Sequence, residues 1–160
     1  VPMLIRAPGL FPAGQVLKSM VQNVDIAPTI LSCAGLDKPA QMVGESYIPL
    51  LQGKEIPWRN RIFYEYYWEH EYPQTPTMHG VRTDNYKYIR YHGIWDTNEF
   101  YDLNEDPNEL QNRIADPEYQ DIIKQLDADL YDWLETTNGM SIPLKRTVRP
   151  HNDHRNEGNY

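Results

Sequence analysis

The stretch ADPEYQDIIKQLDADLYDWLETTNG (115–139) constrains this chain more than any other, because it reads as a long helix with one broad apolar face. Tyr119, Ile122, Ile123, Leu126, Leu130, Trp133 and Leu134 recur at helical spacing. Asp116 supplies an N-cap, Pro117 takes the first helical position where its missing N–H is harmless, and Asn138-Gly139 provides a stop. A stripe of that width needs an apolar surface to lie on, and the preceding residues predict a sheet. RIFYEYYW (61–68) sets Ile62, Tyr64, Tyr66 and Trp68 against Arg61, Phe63, Glu65 and Tyr67. MHGVRT (78–83) and YKYIRY (86–91) form two more runs about Asp84-Asn85, a pair that tolerates positive φ, and EFYDL (99–103) adds a fourth. The expected fold class is α+β, a sheet of about four antiparallel strands packed against a long C-terminal helix. DPNELQNR (106–113) reads as a turn running into a helical start.

The first third has a different texture. VPMLIRA (1–7) reads as a strand already under way, so either it is an edge strand or something precedes it. VLKSMV (16–21) has the β-branching of a second short strand. VDIAPTILSCAGL (24–36) predicts a helix capped by Asp25, with Pro28 in its first turn and Gly35 as its stop. Ile26, Ile30, Cys33 and Ala34 share one face of it and call for an apolar partner. GESYIPLLQGK (44–54) predicts a short helical turn between Gly44 and Gly53. These readings divide the chain into residues 1–57, 58–139 and an irregular tail over 140–160.

A net charge of −8 argues against a nucleic-acid partner, which would require a basic face. No apolar run reaches the roughly 18–20 residues of a membrane span. Cys33 is the single cysteine, so no intrachain disulfide forms. The sequence carries no Gly-rich phosphate loop, HExxH, paired-Cys zinc pattern or Ser nucleophile elbow. Cys33 as a nucleophile competes with Cys33 as a small buried thiol, and its amphipathic setting favours the latter. His151 and His154 have the spacing of a helical metal pair, but a solvated tail explains them better. The stretch EYYWEHEYPQTPTMHGVRT (65–83) leaves one strand, crosses a Pro-containing loop and returns on the next. It gathers Trp68, His70, Tyr72, His79 and Arg82 towards one sheet end. Aromatic faces stack on sugar rings while His and Arg donate to hydroxyls, carboxylates or sulfates. An ordinary aromatic sheet surface accounts for the same residues equally well.

VPMLIRAPG, QNVDIAPTILSCAGL, GESYIPLLQGK, FYEYYW, GVRTDNYKYIRY and FYDLNEDPNELQN occur in that order. Together, over roughly residues 1–137, they resemble the C-terminal third of type I, formylglycine-dependent sulfatases of the alkaline phosphatase superfamily. The resemblance implies hydrolysis of sulfate esters, often of sulfated carbohydrates, by a formylglycine nucleophile beside a divalent cation, usually calcium. It also implies a periplasmic or extracellular setting. The formylglycine precursor motif C/S-x-P-S/A-R is absent, and Cys33 is followed by Ala-Gly-Leu. The family's metal-ligating Asp and Asn residues and its Lys fall ahead of the matched region. No catalytic residue, metal ligand or cofactor is therefore expected in this chain, which is predicted inactive alone. What the resemblance leaves is the last strand and helix of a large α/β domain, then the smaller subdomain whose loops wall the substrate cleft. His79, Arg82, Trp68 and His70 are the substrate-binding candidates it points to, with His79 foremost. The expected partner is a catalytic N-terminal domain, or a second copy of the chain associating through the exposed face. Two other readings stand beside it: part of a phosphomonoester or phosphonate hydrolase, and a non-catalytic carbohydrate-binding or assembly module.

Overall fold

The computed structural model describes residues 3–68, 75–93 and 96–141, and the chain divides into two compact units, Val1–Ile62 and Phe63–Tyr160.

The first unit is organised around one buried carboxylate. A 3-10 turn over Asn23–Asp25 runs directly into helix α1 (Ile26–Cys33), and a short helix α2 (Ile48–Leu51) follows. Asp25 precedes α1 as expected, but its side chain makes no capping bond to that helix. It is fully buried and accepts from the backbone N–H groups of Gln22 (2.8 Å) and Glu45 (2.9 Å). The guanidinium of Arg59 closes on both of its oxygens. Four donors on one carboxylate hold three distant segments together without a sheet. Gly44 is required where the 44–45 segment crosses Asp25, because a Cβ there would collide with the Val24 carbonyl.

Two expectations for this unit change. Residues 3–7 and 16–21 form no strand. A strand needs a neighbouring ladder, and among the described residues of this unit no segment offers one. The Met20 carbonyl instead accepts from Trp58 Nε1 at 2.8 Å. Cys33 is exposed, not buried. Helix α1 buries Pro28 and Thr29, leaving Ile30, 61% exposed, on the side that the sequence marks as apolar.

The sheet consists of β1 (Arg61–Tyr66), β2 (Met78–Thr83), β3 (Tyr86–Tyr91) and β4 (Glu99–Asp102), in the order β1-β2-β3-β4, and all but the first two residues of β1 belong to the second unit. The sheet is antiparallel, as expected. Val81 faces Tyr88 across one pair and Tyr88 faces Phe100 across the next, so these three share a face. Helix α3 (Gln120–Thr136) lies on that face with Ile123, Leu126, Leu130 and Leu134 buried against it. Phe63 stacks on Trp133 with ring centres 4.7 Å apart. A polar clasp joins the two layers: Asp127 of α3 accepts from Tyr88 Oη and Arg90 Nη1, both at 2.8 Å. Asp116 caps a 3-10 turn at Pro117–Tyr119, which leads into α3. At the far end Asn138 adopts φ 59° and the Gly139 N–H returns to the Leu134 carbonyl at 2.8 Å.

Local chemistry departs from expectation at two turns. Asp84 and Asn85 do not use positive φ. Thr83 closes the hairpin instead, its hydroxyl accepting from Asn85 N–H (3.3 Å) and Tyr86 N–H (3.0 Å). Residues 106–113 turn without starting a helix, because Glu109 sits at φ 56° and Asp106 accepts from Gln111 N–H at 2.8 Å. That turn sends Asn112 and Arg113 back to bond both polar groups of Phe100, which closes the β4 edge.

Candidate functional site

Three chain segments converge on Thr77 at one end of the sheet. Trp68 N–H donates to Thr77 Oγ1 at 2.9 Å, and His92 N–H donates to the Thr77 carbonyl at 3.0 Å. Tyr66 Oη and Thr75 Oγ1 lie 3.1 Å apart beside them. These bonds bring the backbones of Trp68 and His92 to Thr77, two positions before His79. Trp68 is 48% exposed.

His79 occupies the second position of β2, on the face that α3 covers, opposite Arg90 in register. It is 4% exposed. Its Nδ1 lies 2.7 Å from His92 Nε2, with the two rings nearly perpendicular at 78°. Tyr67 meets the His79 ring edge-on at 5.4 Å, and its own hydroxyl donates to Glu65 Oε2 at 2.8 Å. His79 Nε2 is buried and has no hydrogen-bond partner among the described residues. His92 is exposed at the mouth of this pair.

The electrostatics follow from that burial. Desolvation lowers the His79 imidazole below 6.5, His92 reinforces the shift, and Glu65 opposes it. Desolvation likewise lowers His92, with Arg90 reinforcing and Asp127 opposing. Both rings are therefore neutral at pH 7. Tyr67 is pushed up to about 12, chiefly by desolvation and then by the carboxylate of Glu65.

Among the expected site residues, the structure brings Trp68 and His79 to the same sheet end. It separates Arg82 from them: three positions along β2 place Arg82 on the opposite face from His79, exposed and near the other end of the strand. His70 and Tyr72 lie outside the described residues, as do His151 and His154. His92 was not singled out by the sequence. The available signal was its even spacing from Tyr88 and Arg90, which puts it on the face of β3 that His79 occupies on β2.

Among the described residues no three His, Cys, Asp or Glu side chains converge as metal ligands, and the sequence lacks the formylglycine precursor motif.

The family described as N-sulphoglucosamine sulphohydrolase, C-terminal, matches residues 1–136. The chain is 34% identical over 132 residues to the N-acetylglucosamine-6-O-sulfatase of Bacteroides thetaiotaomicron, an overlap of 79% of this chain and 23% of that protein. It is 32% identical over 154 residues to the Delta 4,5-hexuronate-2-O-sulfatase of the same organism, covering 94% of this chain and 31% of that protein. A solved structure described as in complex with its substrate D-glucosamine-2-N,6-O-disulfate superposes with a TM-score of 0.64 at 29% identity, over 74% of this chain and 24% of that one. The chain thus spans less than a third of the length of these relatives. It belongs to the N-sulphoglucosamine sulphohydrolase C-terminal family, and corresponds to the C-terminal part of a sulfatase of the alkaline phosphatase superfamily.

Proposed function

We propose that this chain serves a sulfatase acting on sulfated carbohydrates, and that it supplies substrate-facing and packing surface while the reacting groups lie outside it. The family match over residues 1–136 carries this reading, with the Trp68–Thr77–His79 sheet end as the substrate-facing region. An exposed indole and a histidine pair at one sheet end supply the stacking and polar groups that a sulfated sugar would use. The test is sulfate release from N-acetylglucosamine 6-sulfate by the enzyme that carries this chain. Trp68→Ala and His79→Ala are expected to raise KM on the order of tenfold, as loss of a stacking or polar contact does. Unchanged KM in both variants would remove this sheet end from the substrate cleft. Arg82, on the opposite face, is proposed as a second contact, and Arg82→Ala tests it in the same assay.

The partner in this reading is the catalytic portion of the same enzyme, seated on the apolar residues that the first unit exposes. Ile26, Ile30 and Leu36 are each at least 40% exposed, and Val43 is 84% exposed. The chain by itself is expected to self-associate through these residues. Sedimentation equilibrium showing a monomer at high concentration would count against that surface.

A further inference from the structure

The hydrogen bond of the histidine pair has a direction, and the buried, unpartnered Nε2 of His79 decides it. Two neutral imidazoles sharing one hydrogen bond have two arrangements. Either His79 Nδ1–H donates to His92 Nε2, or His92 Nε2–H donates to His79 Nδ1. Both satisfy the 2.7 Å contact, and they differ in what each leaves over. The second arrangement puts the remaining His79 hydrogen on Nε2, which is buried without a partner. The first leaves only a lone pair there. A buried orphan N–H is rarer and more costly than an under-used acceptor, so the first arrangement wins.

That choice propagates outward. Once His92 Nε2 accepts, the single hydrogen of the neutral His92 ring must sit on Nδ1. His92 is exposed, so this N–H is left for solvent or a ligand. We propose that His79 is a positioning residue that fixes His92 as its Nδ1–H tautomer, and that this N–H donates to a hydroxyl or sulfate oxygen of the bound sugar. The identity of the ligand rests on the sulfatase reading above; the tautomer does not. Groups around the pair are consistent with a neutral donor. Glu65 and Tyr67 approach from β1 and its extension, Arg90 from β3, and Asp127 from α3, where the Arg90–Asp127 ion pair (2.8 Å) leaves little net charge.

Long-range proton–nitrogen correlation spectra of the histidine rings in this chain at pH 7.5 read the tautomers without any substitution. The expected result is a protonated Nδ1 on both His79 and His92. In His79→Phe, His92 is expected to shift towards the Nε2–H form that a solvent-exposed imidazole favours. His79→Gln, whose amide can donate in place of Nδ1–H, is expected to restore Nδ1–H. A wild-type His92 protonated at Nε2 overturns the proposal, as does a His92 tautomer indifferent to His79→Phe. Adding N-acetylglucosamine 6-sulfate then separates the two layers. A shift of the His92 Nδ1–H resonance supports the donor role. The expected tautomer with no shift, at concentrations where Trp68 responds to the sugar, overturns that role and leaves the sulfatase reading intact.

Discussion

Arg59 grips both carboxylate oxygens of Asp25, and Asp25 has no accessible surface at all. Burial on its own raises the Asp25 pKa, but the bonds from Arg59, Gln22 and Glu45 and the charge of Arg59 outweigh it, so the carboxyl titrates below 3.8. Arg59→Ala leaves that charge buried and only partly satisfied. The expected loss is about 3–5 kcal/mol of first-unit stability, read as faster hydrogen exchange in α1 and a lower urea midpoint. The pH response should also weaken. With Arg59 present the folded pKa is the lower one, so the Asp25 contribution is full above 3.8 and fades as pH falls through the folded value. Without Arg59 only the Gln22 and Glu45 N–H groups oppose burial, so the folded pKa rises and the loss on acidification should shrink. A variant with the same acid profile as the parent would refute the role given to this pair.

The clasp between α3 and β3 makes a spectroscopic prediction. Tyr88 is pushed up to about 12, first by desolvation and then by its bond to Asp127. Its phenolate signal should be absent from ultraviolet titrations below that range while the unit stays folded. Asp127→Ala removes the acceptor for both Tyr88 Oη and Arg90 Nη1. The expected cost is about 1–3 kcal/mol, with Tyr88 ionising earlier. A Tyr88 titration identical in the variant would show that desolvation alone sets its pKa.

The histidine pair should make the sheet end acid-sensitive. Both folded pKa values lie below 6.5, so the unfolded chain binds more protons in the window beneath it. Stability is therefore full above pH 6.5 and declines as pH falls through the two folded values. Guanidinium melts from pH 8 to 5 should show this decline. In His79→Gln, which cannot titrate, the slope should be shallower. An equal slope in parent and variant would place the acid sensitivity elsewhere.

Leu130 is fully buried at the centre of the α3–sheet contact. Leu130→Ala should cost about 2–5 kcal/mol, because both the transfer of the side chain and the cavity left behind count against the folded state. Leu110, 80% exposed, is the control: its change to alanine should move the urea midpoint little. Similar losses at both positions would mean that the apolar stripe is not what holds the helix.

The second unit was largely legible from its residues. Tyr119, Ile123, Leu126, Leu130 and Leu134 repeat at helical spacing, and Ile62, Tyr64 and Tyr66 alternate with Arg61, Phe63 and Glu65 at strand spacing. Periodicity is a local property and needs no knowledge of the rest of the chain. The first unit was less legible for a reason of the same kind. VPMLIRA and VLKSMV have strand-like composition, yet a strand exists only where a neighbour completes its ladder. Likewise Asp25 reads as a cap because a helix follows it, while its actual partners include Glu45 and Arg59, far along the chain.

Read along the chain, the residues specify the helix, the strand runs and the six ordered motifs that place the chain in its family. Which histidines meet depends on strand pairing. His79 and His92 lie 13 positions apart on adjacent strands, and antiparallel pairing brings them to 2.7 Å. It also set Arg82 on the other face, because strand side chains alternate while a motif read along the chain does not show which way each one points. The same pairing buried His79 and left His92 in the open, so the residue that the sequence favoured becomes the support for the one it passed over.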